Sequence, residues 1–249
     1  MKIAFLVQAR MGSTRLPNKI LRPFYRDKCI LGLLIEKLQE VHNGKIIIAT
    51  SISASNDVIE CFCEQHNVTC FRGSENDVLQ RFVDAAEANN VEKLVRVCSD
   101  NPFLELKSIK HLVEKSCSSD ADYISFDING CPSIKTHYGF WTEFTTLSAL
   151  KKVKEMTDEQ LYHEHVTNFI YTHPGHFKIE WINGPQCLAG RNDIRLTCDT
   201  LEDFQNSSEI YADLCKDNPY PTIQEVVEYL DNHEEYAQKM IKQIKLKSK

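Results

Sequence analysis

Ile3-Ala4-Phe5-Leu6-Val7, followed by Gln8-Ala9-Arg10-Met11-Gly12-Ser13-Thr14-Arg15-Leu16-Pro17-Asn18-Lys19, is the stretch whose reading decides the fold. The apolar run, which Met1 and Lys2 precede, suits a short buried strand. A signal peptide needs a longer apolar stretch and a cleavage site. The run after it is polar and holds one glycine, two hydroxyls and three cations. Glycine lets a backbone approach an anion, successive amides can cradle one, and arginine and lysine neutralise phosphate charge. The run is neither a Walker loop nor a dinucleotide fingerprint, because GxxxxGK[ST] and GxGxxG are both absent. A phosphate-binding loop and a solvated basic turn both fit it at this point.

Outward from this stretch, short apolar strands alternate with helices. Leu31, Leu34, Ile35 and Leu38 recur at helical spacing within residues 31–41. Residues 45–50 read as a second strand, 56–65 as a helix capped by Ser55, and 69–72 as a third strand. Residues 77–89 read as a helix, 93–98 as a fourth strand and 106–115 as a further helix. This alternation implies a mostly parallel sheet covered on both faces, with ligands beyond the carboxyl ends of its strands. Residues 122–182 differ. They hold strand-like aromatic pieces around Tyr138-Gly139-Phe140-Trp141, a helix through 149–153, a charged helix over 158–173 and a strand over 177–182. They read as a small inserted lobe within one domain spanning residues 1–249. Ile194-Arg195-Leu196-Thr197-Cys198 returns to strand character, and the chain ends in helix and a lysine-rich tail.

The chain has 249 residues, long enough for one large α/β domain. Its net charge of −6 argues against nucleic-acid binding by bulk electrostatics, and its apolar runs are too short to span a bilayer. The ten cysteines include no CxxC spacing, so they read as reduced small hydrophobes of a cytoplasmic protein and not as a zinc site.

Two carboxylates follow apolar runs. Asp100 comes after the strand ending at Cys98, and Asp199 follows Cys198. Two such groups at strand ends suit one Mg²⁺, which prefers oxygen ligands and keeps waters and substrate phosphates. The alternative for each is a turn or a helix cap, and Asp199-Thr200-Leu201-Glu202 looks like a helix start. Arg72 lies between a strand and a helix, where it suits either a nucleotide contact or an ion pair with Glu75 or Asp77. His163 and His165 flank Glu164, but residues two apart do not share a helix face, so a metal pair there is weak.

QARMGSTRLPNK, FRGSENDVLQRF, VRVCSDNPF, EHVTNFI and RLTCDTLEDF occur in that order. Together they resemble the cytidylyltransferases that activate acylneuraminate and ketodeoxyoctonate (Kdo), and most closely the spore coat polysaccharide biosynthesis branch. The resemblance implies the nucleotide-diphospho-sugar transferase fold, a three-layer α/β/α sandwich. It also implies the reaction of CTP with an acidic sugar to give a CMP-sugar and pyrophosphate, with Mg²⁺, in a homodimer joined through the inserted lobe. By position it implies catalytic roles for Arg15, Lys19 and Asp100. Nucleotide contacts are implied at Ala9, Arg10, Gly12, Ser13, Arg72 and Cys98, and metal ligation at Asp100 and Asp199. The chain departs from the pattern in three places. Kdo-activating relatives have glutamine where Cys98 stands, which leaves the base open between CTP and another triphosphate. Trp141 replaces an aspartate, and His163 replaces an arginine, both where the acceptor sugar is expected.

Overall fold

The computed structural model describes residues 3–13, 15–41 and 44–247, with Lys247 described for its backbone alone. Met1, Lys2, Thr14 and the end of the tail at Ser248 and Lys249, which the sequence reading drew on, lie outside the described residues. In chain order the elements begin with β1 (Ile3–Gln8), the ribbon β2 (Pro23–Tyr25) and β3 (Lys28–Cys29), and α1 (Ile30–Gln39). Next come β4 (Lys45–Ser51), α2 (Asp57–Gln65), β5 (Thr69–Gly73), α3 (Val78–Ala88), β6 (Lys93–Cys98) and α4 (Leu106–Ser118). Then follow β7 (Tyr123–Ile128), β8 (Cys131–Pro132), β9 (Glu143–Thr146), α5 (Leu147–Met156), α6 (Gln160–Glu164) and α7 (Asn168–Thr172). The last elements are β10 (Ile179–Asn183), α8 (Leu201–Leu214), α9 (Ile223–Asp231) and α10 (Glu234–Lys247).

One sheet runs in the order β10-β7-β9-β6-β1-β4-β5, with β8 paired to β7. β1 pairs in parallel with both β4 and β6, and β4 pairs in parallel with β5. β9 enters antiparallel between β6 and β7, and β10 closes the far edge in parallel with β7. Side chains alternate across each strand, so each strand feeds two cores. Phe5, Val7, Ile46, Ile48, Val95 and Val97 pack with α1, α2, α4, α8 and α9 on one face. Ala4, Leu6, Ile47, Ala49 and Leu94 pack with α3, α5 and α7 on the other. This is the three-layer α/β/α sandwich with a mostly parallel sheet.

Four stretches differ from the sequence reading. Residues 122–182, expected as an inserted lobe, supply β7, β9 and β10 to the same sheet. The expected helix over 158–173 is two short helices, α6 and α7, because Val166 and Thr167 between them turn into the core. Residues 138–141 and 194–198 were both expected as strands. They are largely buried but join no ladder. Irregular main-chain bonds hold them instead, with Leu196 N donating to His137 O (2.9 Å), Cys198 N to Asp100 O (2.9 Å) and Glu105 N to Phe140 O (2.8 Å).

Two buried charges fix the frame around the strand ends. Arg96 on β6 pairs with Glu143 on the adjacent β9 at 2.5 Å, and Glu143 also accepts from Tyr123 and Thr167. Breaking such a pair leaves an uncompensated buried charge, whereas replacing both partners by apolar groups does not. Glu143→Ala should therefore cost about 3–5 kcal/mol in urea unfolding, and the double variant Arg96→Met/Glu143→Leu should recover most of that loss. Lys37 on α1 is also buried. Its Nζ donates to the carbonyls of Pro102 (3.2 Å) and Leu104 (2.6 Å), pinning the loop that follows Asp100. Burial lowers its pKa to about 8. The unfolded chain keeps that proton to about pH 10.4, so between these values the unfolded state binds more protons and this group's contribution to stability rises with pH. Lys37→Met should flatten the rise in stability measured from pH 8 to 10.

Candidate functional site

The loop after β1 is built into the fold before any ligand is considered. Met11 and Leu16 are buried, Met11 N donates to Asn56 Oδ1 (2.8 Å), and Asn56 Nδ2 donates to Ser51 Oγ (2.7 Å). Asn18 takes the left-handed conformation (φ 61°) and turns the chain toward Lys19. Three of the amides expected to form a cradle are engaged within the fold. The N–H groups of Ala9, Met11 and Ser13 already donate to Ala49 O, Asn56 Oδ1 and Met11 O. Ala9 is itself buried. A Cβ at Gly12 would meet no protein atom within 4 Å, so packing does not explain that glycine.

The side chains converge on one cleft of about 200 Å³, where Arg10, Ser13, Arg15 and Lys19 face Cys98, Asp100 and Asp199. Lys19 is largely buried, and its Nζ donates to Asp100 Oδ2 (3.1 Å) and to Cys198 O (2.7 Å). Arg15 reaches Asp199 at 2.8 Å from an exposed position. Asp199 is not the helix cap. Thr200 caps α8 and completes a capping box with Asp203. Most of the expected site residues are thus brought together. Arg72 is placed elsewhere: it bonds to Asp57 (2.6 Å), Glu60 (2.7 Å) and the carbonyls of Ile52 and Ser53. Neither Glu75 nor Asp77 is the partner read from the sequence.

A second chamber, about 370 Å³, adjoins the first and shares Cys98, Asp100 and Asp199 with it. Phe140 and Trp141 give it an apolar wall, while Lys135, His137 and His165 give it polar and cationic groups. Asn101 Oδ1 and Thr197 Oγ1, both lining it, are buried without a partner among the described residues. Orphaned oxygens of this kind suit a ligand rich in hydroxyls. His163, expected at the acceptor, instead bonds to Asp77 Oδ2 (2.7 Å) and lies near Thr157 O (3.1 Å), tying α6 to the cap of α3.

Asp100 and Asp199 are hard oxygen donors at the seam of the two chambers, which fits an ion that takes one or two carboxylates and fills its shell with waters and phosphates. Among the described residues no three His, Cys, Asp or Glu side chains are arranged to hold a metal, as a zinc site would require. Cys98 stands at the same seam. Burial raises its thiol to about 11, so it is neutral at pH 7.

Sequence reading missed two residues. Arg195 has a fully buried guanidinium bonded to Asp203 (2.8 Å), Asp199 (2.7 Å) and His137 Nδ1 (2.8 Å). Arg96 lines the first cleft. The available signal was a charged residue inside an otherwise apolar run, since such a residue is buried only with a partner. The two arginines on Asp199 should separate cleanly in unfolding experiments. Arg15→Ala, an exposed pair, should change stability by less than about 1 kcal/mol. Arg195→Ala, which strands buried carboxylates, should cost about 3–5 kcal/mol.

The cytidylyltransferase family profile matches residues 4–248. The chain is 36% identical over 236 residues to an uncharacterized protein of Methanocaldococcus jannaschii, covering 94% of this chain and 92% of the relative. It is 31% identical over 214 residues to the spore coat polysaccharide biosynthesis protein SpsF of Bacillus subtilis, covering 84% and 86%. Its structure is similar to that of a cytidylyltransferase from Leptospira borgpetersenii, with a TM-score of 0.82, 26% identity and coverage of 96% and 97%. No described helix is long and apolar enough to cross a membrane. With its strand-end carboxylates and cationic loop assembled in one cleft and the family profile spanning nearly its whole length, the chain belongs to the cytidylyltransferase family and is a nucleotidyltransferase.

Proposed function

We propose that this enzyme transfers CMP from CTP to a hydroxyl of an acidic sugar and releases pyrophosphate. One observation carries the reading: a cation-lined cleft and a hydroxyl-suited chamber meet at Asp100 and Asp199. The triphosphate takes the first and the acceptor the second, which sets the acceptor hydroxyl beside the α-phosphate. Arg15 and Lys19 supply positive charge where the leaving pyrophosphate gains negative charge. Lys135 supplies a cation for the carboxylate of the acceptor. Asp100 and Asp199 would hold Mg²⁺, which when bound neutralises phosphate charge and favours loss of the hydroxyl proton. Residues 122–182 remain the proposed surface for a homodimer, and β10 at the sheet edge carries the exposed Trp181.

A glycosyltransferase of similar fold is the second reading, since Asp120-Ala121-Asp122 has the Asp-x-Asp form. Both carboxylates of that sequence bond to Lys178, and neither lines the two chambers. Pyrophosphate release from CTP and Mg²⁺, screened with sialic, pseudaminic and Kdo-type acids, tests the proposal. Asp100→Asn and Lys19→Ala should each lower turnover by about 10²–10³-fold while thermal unfolding stays cooperative. Near-normal turnover in both variants would overturn the assignment of the cleft.

A further inference from the structure

Gln8 ends β1 and is the register partner of Cys98 at the end of β6. Because side chains alternate along a strand, Gln8, Arg96 and Cys98 project from one face, and all three line the first cleft. Arg96 Nη2 lies 3.2 Å from Gln8 Oε1. A guanidinium only donates, so the glutamine oxygen must face it and the glutamine NH₂ must face away. The arginine is itself held, because Nη1 donates to Glu143 Oε2 at 2.5 Å and Glu143 accepts from Tyr123 and Thr167. The amide therefore cannot flip without breaking a buried chain of polar contacts. Among the described residues none accepts from Gln8 Nε2.

We propose that Gln8 reads the nucleobase of the triphosphate. This rests on the reading of the cleft as a nucleotide site. An NH₂ of fixed orientation presents donors only, so it selects a base edge that offers acceptors. Cytosine offers N3 and O2 side by side. Uracil places an N3–H donor between its two oxygens, so the amide can meet one oxygen while its second N–H faces a donor where cytosine offers N3. Gln8 is half-buried, and a polar group held in one orientation disfavours the mismatched partner because the mismatch leaves a hydrogen-bonding group unpaired. The neighbouring Cys98 cannot make this distinction, since a thiol is a weak donor and a weak acceptor. Gln8 is thus a specificity-determining residue whose geometry is set from β9 and from the turn between α6 and α7.

The test is calorimetric binding of CTP, UTP and inorganic tripolyphosphate, each with Mg²⁺, to the wild-type chain and to Gln8→Met and Gln8→Glu. Methionine keeps the side-chain length where the fold needs filling. Glutamate keeps acceptors for Arg96 and removes the donors. The wild type should prefer CTP to UTP by at least about tenfold, and both variants should bring the two nucleotides within about threefold of each other. Tripolyphosphate binding should stay within about twofold in all three proteins, because the phosphate contacts lie elsewhere in the cleft. Retention of the wild-type CTP preference in both variants would overturn the proposal. So would a wild type with no preference, or a parallel loss of tripolyphosphate binding. Failure of the wild type to bind any of the three would instead overturn the nucleotide reading on which the proposal rests.

Discussion

Lys19 holds the two halves of the site together. Its ammonium reaches the Asp100 carboxylate and the Cys198 carbonyl, while Cys198 N donates to the Asp100 carbonyl. Three segments far apart in sequence, ending at residues 19, 100 and 198, are thereby fixed within a few ångströms of one another. The contact is largely buried, so its attraction is less screened than that of a surface pair. Everything with chemical capacity is arranged around it. The cationic loop lies on one side, the carboxylates at the seam, and the second chamber beyond.

The sheet order explains why these residues meet. β1 sits at the centre between β4 and β6, so its loop opens between the ends of two parallel neighbours. Inserting β9 antiparallel beside β6 then brings Glu143 next to Arg96 and carries Trp141 to the wall of the second chamber. The buried Arg96–Glu143 pair costs desolvation that packing alone would not recover. Its position between the two chambers gives a reason to keep it: it orients Gln8 on one side and closes the other.

The first half of the fold was legible in the sequence because short apolar runs separated by amphipathic helices leave few arrangements. The second half was less so. Residues 138–141 and 194–198 have the apolar character of strands, but that pattern reports burial and says nothing about whether a ladder partner exists. The same limit hid the roles of arginines. Arg72 looked like a ligand contact because it follows a strand, yet the acidic first turn of α2 captures it. Arg195 sat unremarked in an apolar run, although it orders Asp199, Asp203 and His137 at once. The site residues that the cleft brings together are those whose type and place after a strand both pointed to phosphate or metal. Arg72 and His163, which bond outside the chambers, depend on partners from other segments, which one sequence does not display.

The central claim is that the two chambers join a nucleoside monophosphate to an acceptor at the Asp100–Asp199 seam. Phosphorus NMR of the products formed from CTP, Mg²⁺ and a reactive sugar acid tests it most directly. Nucleotidyl transfer predicts equal amounts of inorganic pyrophosphate and a sugar phosphodiester carrying the α-phosphorus. Appearance of CDP, or of inorganic phosphate with no phosphodiester, would contradict the account.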